Sequence, residues 1–217
     1  MPKWLGVDGQ TGAPVWEKII YNTQGQAVAK ERTLNYAEAT NQEVGSALPK
    51  YQGGFNNSFR YKNFNLRVST YFSYGNKVFS NNLRYMMNDG HEPYYNQIML
   101  PDGAKVWTGP GDNQATEPSP QNSANSTETS TRYLKDGSYF TIRNIAFNYT
   151  LPIAWAKKIA MKGVSVGVTA DNVVTFSNFL GQDPQTTITP GSFAMPGISE
   201  FKYPNNRQYL LTVNFNF

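Results

Sequence analysis

The sequence contains no cysteine, and its 217 residues include a single histidine. The absence of cysteine excludes a small domain held together by disulfides, and it also excludes a thiolate metal site. The lone histidine, His91, lies in a polar stretch at 88–92 with no second histidine to act as a co-ligand. We therefore interpret His91 as part of loop packing rather than as a metal ligand or a catalytic base.

Charged residues are also scarce, at 16% of the chain compared with roughly 25% in soluble domains. The 19 lysines and arginines are scattered, so the net charge of +4 does not indicate nucleic-acid binding. No apolar stretch approaches the roughly 18 residues of a membrane-spanning helix. Because residues 1–6 lack the apolar core of a signal peptide, we expect a fragment, a mature form or a truncated gene product.

Aromatic residues, by contrast, are abundant at 14% of the chain, with 14 tyrosines and 13 phenylalanines. The mean hydropathy is nevertheless −0.53, because Asn, Thr, Ser and Gly accompany them in place of aliphatic residues. This mixture is typical of a β-sheet that faces lipid on one side and water on the other.

The last nine residues alternate between an apolar or aromatic face and a mostly polar one. Nine extended residues reach about 30 Å, which is the length of a tilted membrane strand. We predict that 209–217 is a final membrane strand whose aromatic terminus is recognised by the barrel assembly machinery. An ordinary edge strand of a soluble protein is the alternative. The residues on the apolar face are Tyr209, Leu211, Val213, Phe215 and Phe217.

Similar alternation recurs upstream. Residues 53–75 predict a hairpin of two membrane-length strands with a turn at 62–63. A further run covers 164–171, and the segment 152–162 before it predicts a short turn with a helical half-turn.

In a run at 138–151, the apolar residues change from even to odd positions midway. Phe140 and Ile142 would therefore project to the opposite side of a regular strand from Ile145 and Phe147. One inserted residue would restore the register, so a β-bulge near Arg143 is one explanation. A change from an extracellular to a membrane environment along the strand is the other.

Connections alternate between short and long. We divide the chain into a poorly defined loop and strand region at 1–50 and barrel strands at 51–217, with long loops at 76–136 and 174–205. Since outer-membrane barrels have short periplasmic turns and long extracellular loops, we expect the two long loops outside the cell.

Nothing in the sequence predicts a catalytic pair, a cofactor site or a metal site, and we expect no enzyme. The carboxylates at 89 and 92, and at 102 and 112, have no spacing that defines a geometry. Aromatic loop residues could stack on sugar rings or contact a peptide, or instead form an interface girdle or pack the loops. These candidate ligand-contact residues are Tyr85, Tyr94, Tyr95 and Trp107.

Nine short stretches in order resemble the C-terminal part of SusC/RagA-type TonB-linked outer-membrane proteins of Bacteroidetes-like bacteria. The stretches are LPKYQGGFNN at 48–57, YGNKV at 74–78, PGD at 110–112, STRYLKDGSY at 130–139, IRN at 142–144, ADN at 170–172, GQDP at 181–184, PNNR at 204–207 and FNF at 215–217.

The resemblance implies an all-β fold of antiparallel membrane strands from a 22-stranded barrel in the cell outer membrane. It also implies an N-terminal plug with a TonB box that engages the TonB complex, and a SusD-like lid lipoprotein. The implied cargo is an oligosaccharide or a peptide. This chain holds neither plug nor TonB box, so we do not expect it to transport cargo alone.

Two hypotheses from different classes remain. The first is a part of a TonB-dependent outer-membrane importer. The second is a soluble or surface-attached β-sheet module that binds glycans or mediates adhesion.

Overall fold

The structure, a computed structural model, describes residues 1–92, 94, 96–181, 183–185 and 197–217. In that part of the chain, no helix is long and apolar enough to cross a membrane. The strands and helices in chain order are β1 (Trp4–Val7), β2 (Pro14–Tyr21), β3 (Ala27–Thr33), β4 (Tyr51–Tyr61), β5 (Phe64–Tyr74), β6 (Lys77–Ser80), α1 (Asn81–Met86), β7 (Leu134–Asp136), β8 (Tyr139–Thr150), α2 (Ile153–Lys158), β9 (Gly163–Ser177), β10 (Ile198–Ser199) and β11 (Gln208–Asn216). Short 3-10 helices cover Tyr36–Glu38, Pro120–Asn122 and Thr131–Tyr133.

The chain divides into two compact units, which are described separately. The long-strand unit comprises Leu48–Asn76, Asp136–Gln185 and Tyr203–Phe217. The short-strand unit comprises Met1–Ala47, Lys77–Lys135 and, after the gap, residues 197–202.

The long-strand unit is one antiparallel sheet of five strands in the order β11-β9-β8-β5-β4. Its strands are 9 to 15 residues long, which is the length that a tilted membrane strand requires. β4 and β5 form the predicted hairpin, and Lys62 adopts a φ of 51° at its turn. Helix α2 lies where the sequence predicted a helical half-turn. The predicted all-β class of antiparallel membrane strands is confirmed.

The change in the alternation along β8 comes from a bulge, which is one of the two explanations that the sequence left open. The pairing of β8 shifts between Ile142 and Asn144 on both of its sides, so Arg143 is the inserted residue. On β9 the same step includes Asn172, whose φ is 52°. An asparagine tolerates this left-handed conformation better than most residues.

The long sheet encloses almost no core of its own. Across its five strands, every residue of which is described, Val164 is the one hydrophobic side chain that is buried. Hydrophobic side chains of this sheet other than Val164 are therefore exposed or only partly buried.

The short-strand unit, in contrast, contains buried apolar side chains. Trp16 on β2 is fully buried, and its ring packs edge-on against Trp4 at 6.0 Å and Tyr36 at 5.4 Å. A second cluster is formed by Phe79, Leu83, Met87 and Tyr133. Residues 76–136, for which a long loop was predicted, thus contain β6, α1, β7 and part of a core.

Helix α1 begins at a defined cap. The Ser80 hydroxyl accepts a hydrogen bond from the Leu83 amide at 3.4 Å, satisfying a backbone donor that the helix leaves free. This positions Leu83 toward the cluster, where it is buried.

Candidate functional site on the two faces of the long sheet

One face of the long sheet is apolar across all five strands. Directly paired residues of antiparallel strands project to the same side, so alternating residues form rows across the sheet. One row consists of Phe59, Leu66, Phe147, Val168 and Leu211, and the next consists of Tyr61, Phe64, Tyr149, Val166 and Val213.

Aromatic contacts bind these rows together. The Phe64 ring lies 4.6 Å from that of Tyr149 and 5.7 Å from that of Phe147. Beyond the bulge, Phe140 pairs with Phe72 and with Phe176, and its ring lies 6.3 Å from that of Phe176. The bulge therefore returns Phe140 to the apolar face, despite its opposite parity in the sequence.

The other face is polar and internally hydrogen-bonded. The Asn144 amide donates to the Asp171 carboxylate at 2.6 Å, and the Thr175 hydroxyl donates to that of Thr141 at 3.1 Å. One row on this face consists of Asn56, Ser69, Asn144, Asp171 and Gln208, and the next consists of Ser58, Arg67, Ala146, Thr169 and Leu210.

Arg143 lies at the bulge and reaches this polar face. Its guanidinium carbon lies 4.0 Å from the centre of the Tyr71 ring, and the Tyr71 hydroxyl donates to Gln52 at 3.0 Å. The guanidinium also interacts with the Tyr139 hydroxyl, and the Tyr71 and Tyr139 rings are 6.1 Å apart. A bulge that re-aims a side chain is a recurring device at functional sites.

The predicted loop aromatics occupy different surroundings. Tyr85 lines a cavity of about 500 Å³ with Met86, Asn96 and Phe201, and its ring is 5.6 Å from that of Phe201. Tyr94 is 95% exposed. Tyr95 lies outside the described residues. A contact role with cargo remains a prediction for all three.

Trp107 packs on the N-terminal part of the short-strand unit. Its indole donates to the Gly9 carbonyl at 3.0 Å, and its ring occupies the space that a side chain at Gly12 would need. The structure therefore shows loop packing by Trp107. Its role as a ligand contact stays a prediction.

The predicted final strand forms one edge of the sheet. β11 pairs with β9 from Gln208 opposite Asp171 to Asn216 opposite Gly163. Its other edge has no partner among the described residues. Recognition of this strand by the assembly machinery remains a prediction.

A buried ionic cluster in the short-strand unit was not predicted. Arg132 donates to both oxygens of Asp89, at 2.5 and 2.6 Å, and to Glu117. Its guanidinium also lies 4.7 Å from the Trp4 ring. These partners are 15 to 128 residues away in the chain, so no local pattern could have revealed them.

Neighbouring Tyr133 belongs to the same cluster. It is fully buried, and its hydroxyl donates to the Ser126 carbonyl at 2.9 Å. Burial raises the pKa of Tyr133 to about 12, although the nearby Arg132 cation opposes this shift. The short-strand unit thus has a neutral phenol and a paired cation in its interior.

Within the described ranges, no group of three or more His, Cys, Asp or Glu side chains is placed to hold a metal ion.

The faces of the long sheet define the class of protein. Antiparallel strands of membrane length that are apolar on one side and polar on the other form the wall of an outer-membrane β-barrel. The chain is therefore a multi-pass β-barrel segment of the outer membrane.

Comparison with known proteins agrees with this class. No family model matches the chain. The TonB-dependent receptor P3 of Formosa agariphila is 28% identical over 178 residues, covering 80% of this chain and 17% of the receptor. Receptors P39 and P26 of the same organism are 25% and 27% identical over 80% of the chain. The chain spans less than a fifth of the length of these relatives.

Solved structures show the same fold. The RagAB peptide importer in its closed-closed state matches all of this chain and 22% of that chain, with a TM-score of 0.79 and 22% identity. A second RagAB peptide transporter structure has a TM-score of 0.77 and 23% identity. The resemblance to TonB-linked outer-membrane proteins is thereby confirmed.

Proposed function

We propose that the chain forms part of the barrel wall of a TonB-dependent importer that takes nutrients across the outer membrane. The single observation that carries this proposal is the two-sided long sheet. Its apolar rows would face lipid, and its polar rows would line the path of the cargo.

The comparisons support a finer proposal about partners. Two of the similar structures are of RagAB, which is named a peptide importer, and the curated relatives are named TonB-dependent receptors. We propose that the complete protein works with the TonB complex and a SusD-like lid lipoprotein, and that its cargo is an oligosaccharide or a peptide.

The alternative of a soluble glycan-binding module fits the sheet less well. A soluble sheet would bury its apolar face against a second layer. Here four of the five side chains in one apolar row are exposed, which suits a face covered by lipid; they are Phe59, Phe147, Val168 and Leu211.

Cysteine labelling tests the membrane assignment, because the chain has no native cysteine. The neighbours Leu66 and Arg67 lie on opposite faces of β5. In the complete protein, we expect Leu66→Cys to react with a lipid-soluble maleimide and to be protected from a charged one. Arg67→Cys should react with the charged maleimide as well, and it serves as the matched control one residue away.

Uptake tests the transport assignment. Cells that express the complete protein should accumulate a fluorescent oligosaccharide or peptide, and a protonophore should abolish this accumulation. Equal labelling of both cysteines by the charged maleimide would refute the membrane wall. Uptake that is unaffected by the protonophore would refute TonB dependence.

A further inference from the structure

Arg143 differs in its surroundings from the buried arginine of the same chain. The guanidinium of Arg132 forms ion pairs with the carboxylates of Asp89 and Glu117. Arg143 is exposed and forms no ion pair among the described residues, although its guanidinium is held over the Tyr71 ring at 4.0 Å.

The Tyr71 ring restricts this guanidinium. A guanidinium carbon 4.0 Å from the ring centre lies in contact with the ring, and this contact restricts the cation while its N–H groups remain able to donate hydrogen bonds. The edge of a guanidinium matches the two oxygens of a carboxylate, which it binds through two parallel hydrogen bonds. Arg143 thus forms no ion pair among the described residues, and its contact with Tyr71 restricts its position on the polar face.

The charge of the polar face favours the same ligand. On the five long strands, all described in full, the basic residues are Arg60, Arg67 and Arg143, and the one acidic residue is Asp171. That carboxylate accepts from Asn144 at 2.6 Å. Asp183, which interacts with Tyr139, accepts from the Gln185 backbone amide at 2.9 Å. The strands therefore present an excess of positive charge to the polar side.

We propose that Arg143, in contact with Tyr71 and Tyr139, is a carboxylate-binding subsite on the polar face of the barrel wall. The cargo that it selects would carry carboxylates, as uronic-acid oligosaccharides and acidic peptides do. This inference rests on the proposed function, because it takes the polar face to be the path of the cargo.

The test uses the complete protein in detergent and two pairs of probes. Trigalacturonate is compared with its neutral methyl ester, and a blocked glutamate-containing pentapeptide with its glutamine counterpart. Isothermal titration measures each affinity. We expect at least one acidic probe to bind roughly tenfold or more tightly than its neutral counterpart, since hydrogen bonds to charged groups are the stronger ones.

Three variants locate the effect. Arg143→Gln should weaken binding of the acidic probe roughly tenfold to hundredfold and leave the neutral probe unchanged. Arg143→Lys keeps the charge without the planar fork, so a smaller loss of roughly threefold to tenfold is expected. Arg67→Gln is the matched control, because it removes one charge from the same face without touching Tyr71. Unchanged neutral binding shows that each variant is folded.

The outcomes separate this inference from the proposed function. An equal loss in Arg67→Gln and Arg143→Gln would overturn the subsite, since it would reflect general charge. Binding of neutral probes with no preference for the acidic ones would overturn it as well, while the importer proposal stands. Failure of all four probes to bind would overturn the subsite, and absent uptake in addition would count against the importer proposal. The pair that shows the Arg143 effect identifies whether sugar or peptide supplies the carboxylate.

Discussion

The guanidinium of Arg132 and the carboxylate of Asp89 form a two-pronged ion pair, with N–O distances of 2.5 and 2.6 Å, in the interior of the short-strand unit. Their side chains are 5% and 2% exposed. Asp89 itself adopts a φ of 53° in the turn that follows α1. The pair therefore ties this turn to the segment that leads into β7.

Removal of the cation should be costly. Arg132→Met would leave Asp89 and Glu117 buried without their partner, and breaking a buried pair in this way costs about 3–5 kcal/mol. We expect much faster hydrogen exchange in residues 126–135 of the complete protein. Native-state exchange followed by mass spectrometry measures this change.

A surface pair in the same unit provides the control. Lys18 donates to Glu38 at 2.7 Å, but both side chains are solvent-accessible. Lys18→Met should change stability by no more than about 1 kcal/mol. Similar exchange in the two variants would show that the Arg132 cluster has no special structural role.

The raised pKa of the buried Tyr133 phenol leads us to predict a loss of folding stability at alkaline pH. Its pKa is raised from 10.0 to about 12 by burial, so the folded state holds the phenolic proton more tightly than the unfolded state. The resulting contribution is complete below pH 10 and is lost as the pH rises toward 12. A shift of this size corresponds to about 3 kcal/mol.

Tyr133→Phe isolates this contribution, because its ring remains and cannot ionise. Urea unfolding of the short-strand unit, followed by tryptophan fluorescence, should show a steeper loss for the parent than for Tyr133→Phe above pH 10. Parallel curves for the two proteins would contradict the prediction. The variant also loses the hydrogen bond to Ser126, so its starting stability should be lower by about 1 kcal/mol.

We predict that the sheet lacks space for a larger side chain at Gly167. A Cβ at this position would clash with the Asn148 side-chain oxygen. Gly167→Val should therefore destabilise the folded barrel, by about 1–3 kcal/mol for overpacking. The change is measurable as a lower unfolding midpoint of the heat-modifiable band on gels.

Shortening the neighbour should relieve this clash. We expect the double variant with Asn148→Ala to recover much of the midpoint, whereas Asn148→Ala alone has little effect. Additive losses in the double variant would show that the two residues are not in contact, because coupled neighbours depart from additivity.

The sequence predicted the long sheet well because each strand carries its own evidence. Alternation is local, so β5 and β11 could be predicted without knowledge of their partners. The change of alternation near Arg143 was visible within one strand for the same reason, but the pairing with β5 and β9 was needed to identify it as a bulge. The place of Arg143 over Tyr71 was not, because that contact joins two strands.

The short-strand unit illustrates what local patterns miss. The sequence indicated loops at 76–136, yet Phe79 and Tyr133 meet in one core across more than fifty residues. Neither residue stands in an alternating or helical pattern of useful length. Their burial depends on tertiary contacts, and so does the pairing of Arg132 with Asp89.

Two adjacent leucines of β11 test the assignment of the faces most directly. Leu210 and Leu211 are 59% and 67% exposed in this structure, so exposure alone predicts the same tolerance for both. Leu211 pairs with Val168 on the apolar face, whereas Leu210 pairs with Thr169 on the polar face. Leu211→Lys would place a charge in lipid at a cost of about 2–4 kcal/mol near the bilayer midplane. Leu210→Lys would place the same charge in water.

In the complete protein, we expect Leu211→Lys to reduce the amount of folded, heat-modifiable barrel in the outer membrane, and Leu210→Lys to leave it near the parent level. Equal loss in both variants would indicate a role of the edge strand that is independent of its faces, and greater loss in Leu210→Lys would reverse the orientation of the sheet.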